Sequence, residues 1–378
     1  MSEIYDKALG FAKEYMTERA EDIDHDKEFP QDIFQELGKA GFLSLLIPKS
    51  QGGLGKGVLE HVEVCLALAQ TVPSVSLCYM MHNNGIPIFY NTATEIAPKI
   101  YEEIKGQHAL LAAATSEPKA GNNTDSSETT FEVFEDKIIV NGRKTFVTMG
   151  GHASYYKATA RDVKDNRQAW LLIPINTPGV KFDGNSWNGL GMRGNVSSNL
   201  HLDNVHLDPS HLLAYEDTVD SRDYQITENI FMLGLASTYA GIALGVCRDA
   251  IHHVNNRTFP DGSKLADFDT IQIHLSEIYT QAQAAKELCL AAARAADQEE
   301  VEADLKASIA RIFATEAGMK AANIGMRLGG GQAYNGVGPM SRWLRDSFAG
   351  QVMIPSVDKL NLWVGKEITS ETFNLEKL

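Results

Sequence analysis

Asn323-Ile-Gly-Met-Arg327-Leu-Gly329-Gly330-Gly331-Gln332-Ala-Tyr334 runs on into Gly338-Pro339-Met340-Ser-Arg342-Trp-Leu-Arg345-Asp346 and then Val352-Met-Ile-Pro355-Ser-Val-Asp358. Three consecutive glycines after a helical pattern end that helix, because glycine takes backbone angles that cost other residues energy. They also let the phosphates or rings of another molecule approach the backbone closely. Pro339 opens a new helix, since its missing N–H is one that a first turn leaves unpaired. The stretch therefore reads as helix, glycine turn, helix.

Working back toward the N-terminus, the spacing predicts long, alanine-rich helices over 226–257, 267–298 and 300–328. Amphipathic helices of that kind suit close packing in a bundle. Upstream, the runs Thr130-Phe-Glu-Val-Phe-Glu, Lys137-Ile-Ile-Val-Asn-Gly, Ala169-Trp-Leu-Leu-Ile-Pro and Asn199-Leu-His-Leu alternate with period two. With Asn141-Gly142 and Asp203-Asn204 as turns, they predict antiparallel strands. Before them the periodicity is again helical, with a helix opened by Pro30 and further helices over 59–70, 74–83 and 95–105. The fold class expected is α+β: an N-terminal helical domain (1–110), a middle antiparallel β domain (111–220) and a C-terminal domain like a four-helix bundle (221–378).

A chain of 378 residues that is 44% hydrophobic buries substantial cores. Its net charge of −15, with no basic patch, argues against nucleic-acid or membrane-surface partners. Cys65, Cys78, Cys247 and Cys289 lie far apart in apolar helical patterns and read as small buried hydrophobes rather than disulfides or metal ligands. The acidic N-terminus lacks the order of a signal peptide, and no apolar run approaches the ~20 residues that span a bilayer. The expected location is the cytoplasm.

Gly330-Gly331-x-x-Tyr334 followed by Arg345-Asp346 resembles the C-terminal segment of the acyl-CoA dehydrogenase superfamily of flavoproteins. The helix led by Pro30, then Ala40-Gly41-Phe42 and Ile47-Pro48…Gly52-Gly53…Gly55, resembles its first helical domain. The resemblance covers nearly the whole chain and implies FAD as cofactor. Ser116-Glu117-Pro118-Lys119-Ala120-Gly121-Asn122-Asn123 is similar to the family's loop over the flavin, which places Ser116 at the pyrimidine edge and Asn122 near the pyrophosphate, with Asn122-Asn123 standing where relatives have Ser-Asp. Asn141-Gly-Arg-Lys144-Thr-Phe146-Val-Thr148 is similar to the strand whose aromatic residue packs on the flavin and whose hydroxyl faces its reactive side, here Phe146 and Thr148. Leu190-Gly-Met-Arg193 matches in part a hairpin at the domain edge. Arg257 and Phe259 resemble a loop that reaches the cofactor of a neighbouring subunit, as do Gly330 and Gly331. Arg327, where many relatives have Gln, is a further phosphate partner, because a guanidinium fork meets two oxygens at once.

Relatives of this kind remove an α-proton with a carboxylate while the β-hydrogen leaves as hydride to flavin N5. The usual Glu falls here at Ile354 or Pro355, and an alternative helix position falls near Phe231. Neither is an acid. The nearest carboxylates are Glu228, one turn upstream of Phe231, and Asp358, about one turn beyond Ile354; both also suit helix starts as caps or dipole partners. The expected activity is α,β-oxidation of an acyl-CoA thioester, as in fatty acid metabolism, by a homotetramer or homodimer that passes electrons to a protein partner. An alternative is a flavin monooxygenase that takes reduced flavin from a partner reductase and activates O₂, which needs no such base. A third is a flavin-holding protein without turnover.

Overall fold

The computed structural model describes residues 1–90, 95–119, 121, 127–371 and 373. Six helices come first: α1 (Glu3–Phe11), α2 (Ala20–Asp26), α3 (Gln31–Lys39), α4 (Val58–Ala69), α5 (Pro73–Asn84) and α6 (Ala97–Gln107). Proline sits where the chain enters α3 and α5, Pro30 just before the first and Pro73 in the first turn of the second. A fixed φ suits a helix start, and the lost N–H costs nothing there.

Strands follow: β1 (Leu111–Ala114), β2 (Thr130–Val133), β3 (Ile138–Val147), β4 (Tyr155–Asp162), β5 (Gln168–Pro174), β6 (Val180–Asp183), β7 (Ser198–Leu207) and β8 (Leu212–Tyr215). They form one sheet in the order β6-β7-β3-β2-β4-β5-β8, with β1 also paired to β4. The expected antiparallel sheet is in fact mixed, because β1 and β2 both run parallel to β4. Nor are Asn141-Gly142 and Asp203-Asn204 hairpin turns. Both lie inside long strands, at a register shift of the β3–β7 pair between Val140 and Gly142. Asn141 Oδ1 accepts from Asn204 N–H at 2.8 Å, so the two dipeptides share a bulge. A Cβ on Gly142 would stand 2.5 Å from Thr129 Oγ1, so close approach rather than turning explains the glycine.

The remaining helices are α7 (Ser221–Asn256), α8 (Asp269–Asp297), α9 (Ala303–Tyr334), α10 (Met340–Val352) and α11 (Val357–Ile368). α7 is long and apolar enough to cross a bilayer, contrary to the sequence expectation, yet 89% of its apolar window is buried in the protein. It is the central helix, packed on α4, α5, α8 and α9. Trp343 on α10 is fully buried and donates through Nε1 to Asp249 Oδ2 on α7 at 2.8 Å. All four cysteines are buried and unbonded to one another.

The Arg345-Asp346 pair ties the three regions together. Asp346 accepts from Met192 N–H at 2.6 Å ahead of β7, while Arg345 pairs with Asp24 on α2. Arg193 Nε stands 3.9 Å from the same Asp24. Burial pushes the Asp346 carboxyl up to about 6 although Arg342 and the Met192 N–H favour its charge. The contact of Gly245 with Trp343 is equally tight, since a Cβ there would lie 2.6 Å from the indole. Gly245→Val is expected to lower stability by about 1–3 kcal/mol through overpacking, read as a fall in the urea midpoint at unchanged m-value.

Candidate active site

A buried ion pair underlies the first part of the site. Lys144, in β3, places Nζ 2.6 Å from Glu117 Oε1, 3.0 Å from Thr159 Oγ1 and 3.1 Å from Ser127 Oγ. Glu117 also accepts from the Ser127 hydroxyl at 2.6 Å and from Thr129 N–H at 3.0 Å. Burial works against ionisation of Glu117, but the Lys144 ammonium and these donors outweigh it and hold the carboxyl down at about 2. One residue on each side of the pair, Thr145 N–H donates to Ser116 O at 2.8 Å. The Ser116 loop is thereby fastened to β3 by one charge pair and one backbone bond.

Beyond Lys144 the β3–β7 register shifts again before Val147. Within that bulge Phe146 adopts φ +54 and is 70% exposed. A bulky residue in left-handed backbone costs roughly 1–3 kcal/mol, and an exposed ring recovers none of it by burial. The ring is left open for a planar group to stack on. Thr148 is buried, its Oγ1 3.3 Å from Ser197 Oγ. Ser197 is held in turn by Asn195 Oδ1, which accepts from its N–H at 3.1 Å and its hydroxyl at 3.0 Å. The Ser116 loop, Phe146 and Thr148 are thus gathered at the C-terminal end of β3, an exposed aromatic ring with hydroxyl residues close by in the chain. That donor set fits a flavin ring, whose pyrimidine edge alternates donors and acceptors. Asn122, expected at the pyrophosphate, lies outside the described residues.

The C-terminal candidates form a second group. Gly330 takes φ +58 and ψ −145, well outside helical backbone, so the triplet interrupts the helix as the sequence predicts, and a second, short helical stretch then runs to Tyr334. A Cβ at Gly330 or Gly331 would meet nothing within 4 Å, so the backbone there faces open space. Arg327 is exposed, with Nη2 3.2 Å from His274 Nε2. Arg257 lies 5.8 Å from the Phe259 ring, which packs edge-on against Phe268 at 5.6 Å. Among the described residues no hydrogen bond or ion pair joins this group to Ser116, Phe146 or Thr148.

Ile354 and Pro355 stand where the resemblance puts a catalytic Glu. Asp358 is exposed in the first turn of α11, two residues after the Ser356 cap, where a carboxylate complements the helix dipole. Glu228 differs. Near the N-terminal end of α7 it is exposed to solvent and has no hydrogen bond or ion pair within 4 Å among the described residues. Even so, surrounding protein pushes its carboxyl above the usual range; Lys157 pulls it back and Asp304 pushes it further. Lys157, on β4, is fully buried, with Nζ 3.1 Å from Asn84 O and 4.7 Å above the Trp170 ring.

Comparison with known proteins settles the family. Residues 2–101, 112–205 and 230–353 match the profiles of the acyl-CoA dehydrogenase N-terminal, middle and C-terminal domains. The chain belongs to the acyl-CoA dehydrogenase superfamily. As an acyl-CoA dehydrogenase family member it is a flavin-dependent oxidoreductase acting on CH–CH groups. It is 28% identical to the caffeyl-CoA reductase-Etf complex subunit CarC of Acetobacterium woodii over 88% of each chain. Its fold matches butyryl-CoA dehydrogenase from Megasphaera elsdenii with TM-score 0.89 and 21% identity, covering 98% of this chain and 99% of that one. FMN-bound TdsC from Paenibacillus sp. A11-2 matches with TM-score 0.88 and 21% identity over 99% and 98%.

Sequence reasoning named the acyl-CoA dehydrogenase motifs but missed three working groups: the Glu117–Lys144 pair, Ser197 and Lys157. A lysine within an otherwise buried strand pattern was the available signal for both cations. Lys144→Met is expected to destabilise the protein by about 3–5 kcal/mol, because it strands a buried carboxylate. Glu117 is ionised well below its ordinary value, so its contribution is complete above about pH 4.5 and is lost as pH falls toward its folded value near 2. Urea titrations at a series of pH values should show that acid loss in the native protein and a flatter dependence in Glu117→Gln.

Proposed function

We propose that this protein transfers hydrogen between an acyl-CoA thioester and FAD across the Cα–Cβ bond, with Glu228 as the group that takes the α-proton. The observation that carries this reading is Glu228 itself: an exposed carboxylate with no ion-pair partner among the described residues, raised by the surrounding protein, one turn from the helix position where some relatives hold their base. A carboxyl raised by burial is a stronger proton acceptor than a free one, which suits removal of a weakly acidic proton. Asp358 is left as a helix-dipole partner.

In this reading Ser116 and Thr148 donate to the flavin ring and Phe146 stacks on it. Asn122 lies at the pyrophosphate. Arg257, Phe259, Arg327, Gly330 and Gly331 serve the cofactor of a neighbouring subunit, which accounts for two groups unconnected within one chain. Bound FAD supplies the two-electron acceptor for the hydrogen that leaves Cβ. Glu228 holds the α-proton and returns it to solvent or, in the reductive direction, to substrate. An electron-transfer protein as redox partner is supported by the Etf-complex relative. A homotetramer or homodimer is supported by apolar side chains left exposed on α8 and α11, among them Ile273, Tyr279 and Trp363.

A second reading, a monooxygenase fed with reduced flavin by a partner reductase, is favoured by one observation: Ile354-Pro355 in place of the usual carboxylate. Anaerobic mixing of the FAD-loaded protein with a series of acyl-CoA thioesters separates the two. Bleaching of the visible flavin band is expected with at least one thioester, slowed about 10²–10⁴-fold in Glu228→Gln and within about twofold of native in Asp358→Asn. Failure of every thioester to bleach the flavin, with rapid O₂ uptake by the chemically reduced protein, supports the monooxygenase instead.

A further inference from the structure

Lys157 is out of place by any rule for buried strands. β4 is buried along nearly its whole length, and Lys157 within it is 2% exposed. Its ammonium carries three donors, yet the only hydrogen bond it makes among the described residues goes to Asn84 O, at 3.1 Å. The Trp170 ring lies 4.7 Å away on β5, and no carboxylate among the described residues stands within 4 Å. Nothing in the sheet needs this cation. Its neighbours in register, Ala113 on β1 and Leu172 on β5, are apolar.

The seat of Lys157 is nonetheless connected to the site. Asn84, whose carbonyl receives the ammonium, donates through Nδ2 to Thr227 O at 3.0 Å. Thr227 immediately precedes Glu228. One asparagine therefore fixes both the lysine head and the turn of α7 that carries the carboxylate. We propose that Lys157 is a positioning residue for Glu228: without touching substrate, it anchors Asn84 and, through the bond from Asn84 to Thr227 O, the turn of α7 that carries the carboxylate. The proposal rests on the reading of Glu228 as the proton acceptor.

The electrostatics agree in direction. Burial lowers the Lys157 ammonium to about 8, and Glu228 is the group that raises it. Around this pair the other charged group is Asp304 on α9, which pushes Glu228 up and accepts from Gln225 Nε2 at 3.1 Å. α5, β1 and β5 present Asn84, Ala113 and Trp170 to Lys157; among the described residues Glu228 is the charge that acts on it, and the buried His82 and Tyr79 of α5 do not. The sign follows: removing Glu228 lowers the lysine, and removing Lys157 raises the carboxyl. A proton acceptor whose carboxyl is raised begins to work at higher pH.

Trp170 reports on the lysine independently of turnover, because an ammonium over an indole perturbs its emission and a neutral amine does so less. Fluorescence titration of the native protein, with Trp170→Phe as the control for the other tryptophans, is expected to show a transition near pH 8. In Glu228→Gln the midpoint should fall by ~0.5–1 pH unit, and in Lys157→Met the transition should vanish. In Lys157→Met the acid limb of flavin reduction by a thioester should move up by ~0.5–1 pH unit, and Lys157→Arg should restore it. An unchanged Trp170 midpoint in Glu228→Gln overturns the pairing, whatever that variant's activity. A shifted midpoint with native flavin reduction in Glu228→Gln overturns the reading of Glu228 as proton acceptor, and with it any catalytic sense of the pair.

Discussion

The buried pair of Glu117 and Lys144 is the constraint on which the rest of the site depends. An ion pair this deep gains little net stability, since both charges lose their hydration, but it demands one geometry and punishes any other. Here the demanded geometry brings the Ser116 loop against β3, one residue before the bulge that turns Phe146 outward. The hydroxyl and the ring are positioned by chain connectivity on either side of the same salt bridge. With Ser127 and Thr159 completing the coordination of Lys144, the pair has donors enough to stay ionised in the core.

On the other side of the site the constraint is α7. Its burial by α4, α5, α8 and α9 leaves little freedom along its middle, and the turns at its two ends emerge. Glu228 sits in the N-terminal ones, tied through Thr227 and Asn84 to the sheet. A core helix anchored in this way gives an exposed carboxylate in its first turns a fixed position. Arg345-Asp346 meanwhile joins α10 to α2 and to the Met192 turn.

Much of this was legible in the sequence where one segment carried the whole signal. Proline-led helices, the alanine-rich bundle and the glycine triplet each follow from local patterns. What escaped was non-local. Asn141-Gly142 has the composition of a hairpin turn, and only its pairing with Asp203-Asn204 across β3 and β7 shows it to be a bulge. Glu117 and Lys144 stand 27 residues apart in two separately readable motifs, so their contact is invisible until the strands are ordered. Lys157 offered only an oddity, a cation in a buried strand, whose partners come from α5, β5 and α7.

The most direct test of this account is the affinity of flavin-stripped protein for FAD when the charge pair is replaced by apolar residues of similar size, as in Glu117→Leu/Lys144→Met. Removing both charges together leaves no stranded ion, so the fold should survive, as far-UV circular dichroism would show. If the pair is what sets Ser116 and Phe146 around the flavin, the Kd for FAD should rise at least ~10-fold, a loss of about 1.4 kcal/mol of binding. A folded variant that binds FAD as tightly as the native protein would contradict the account.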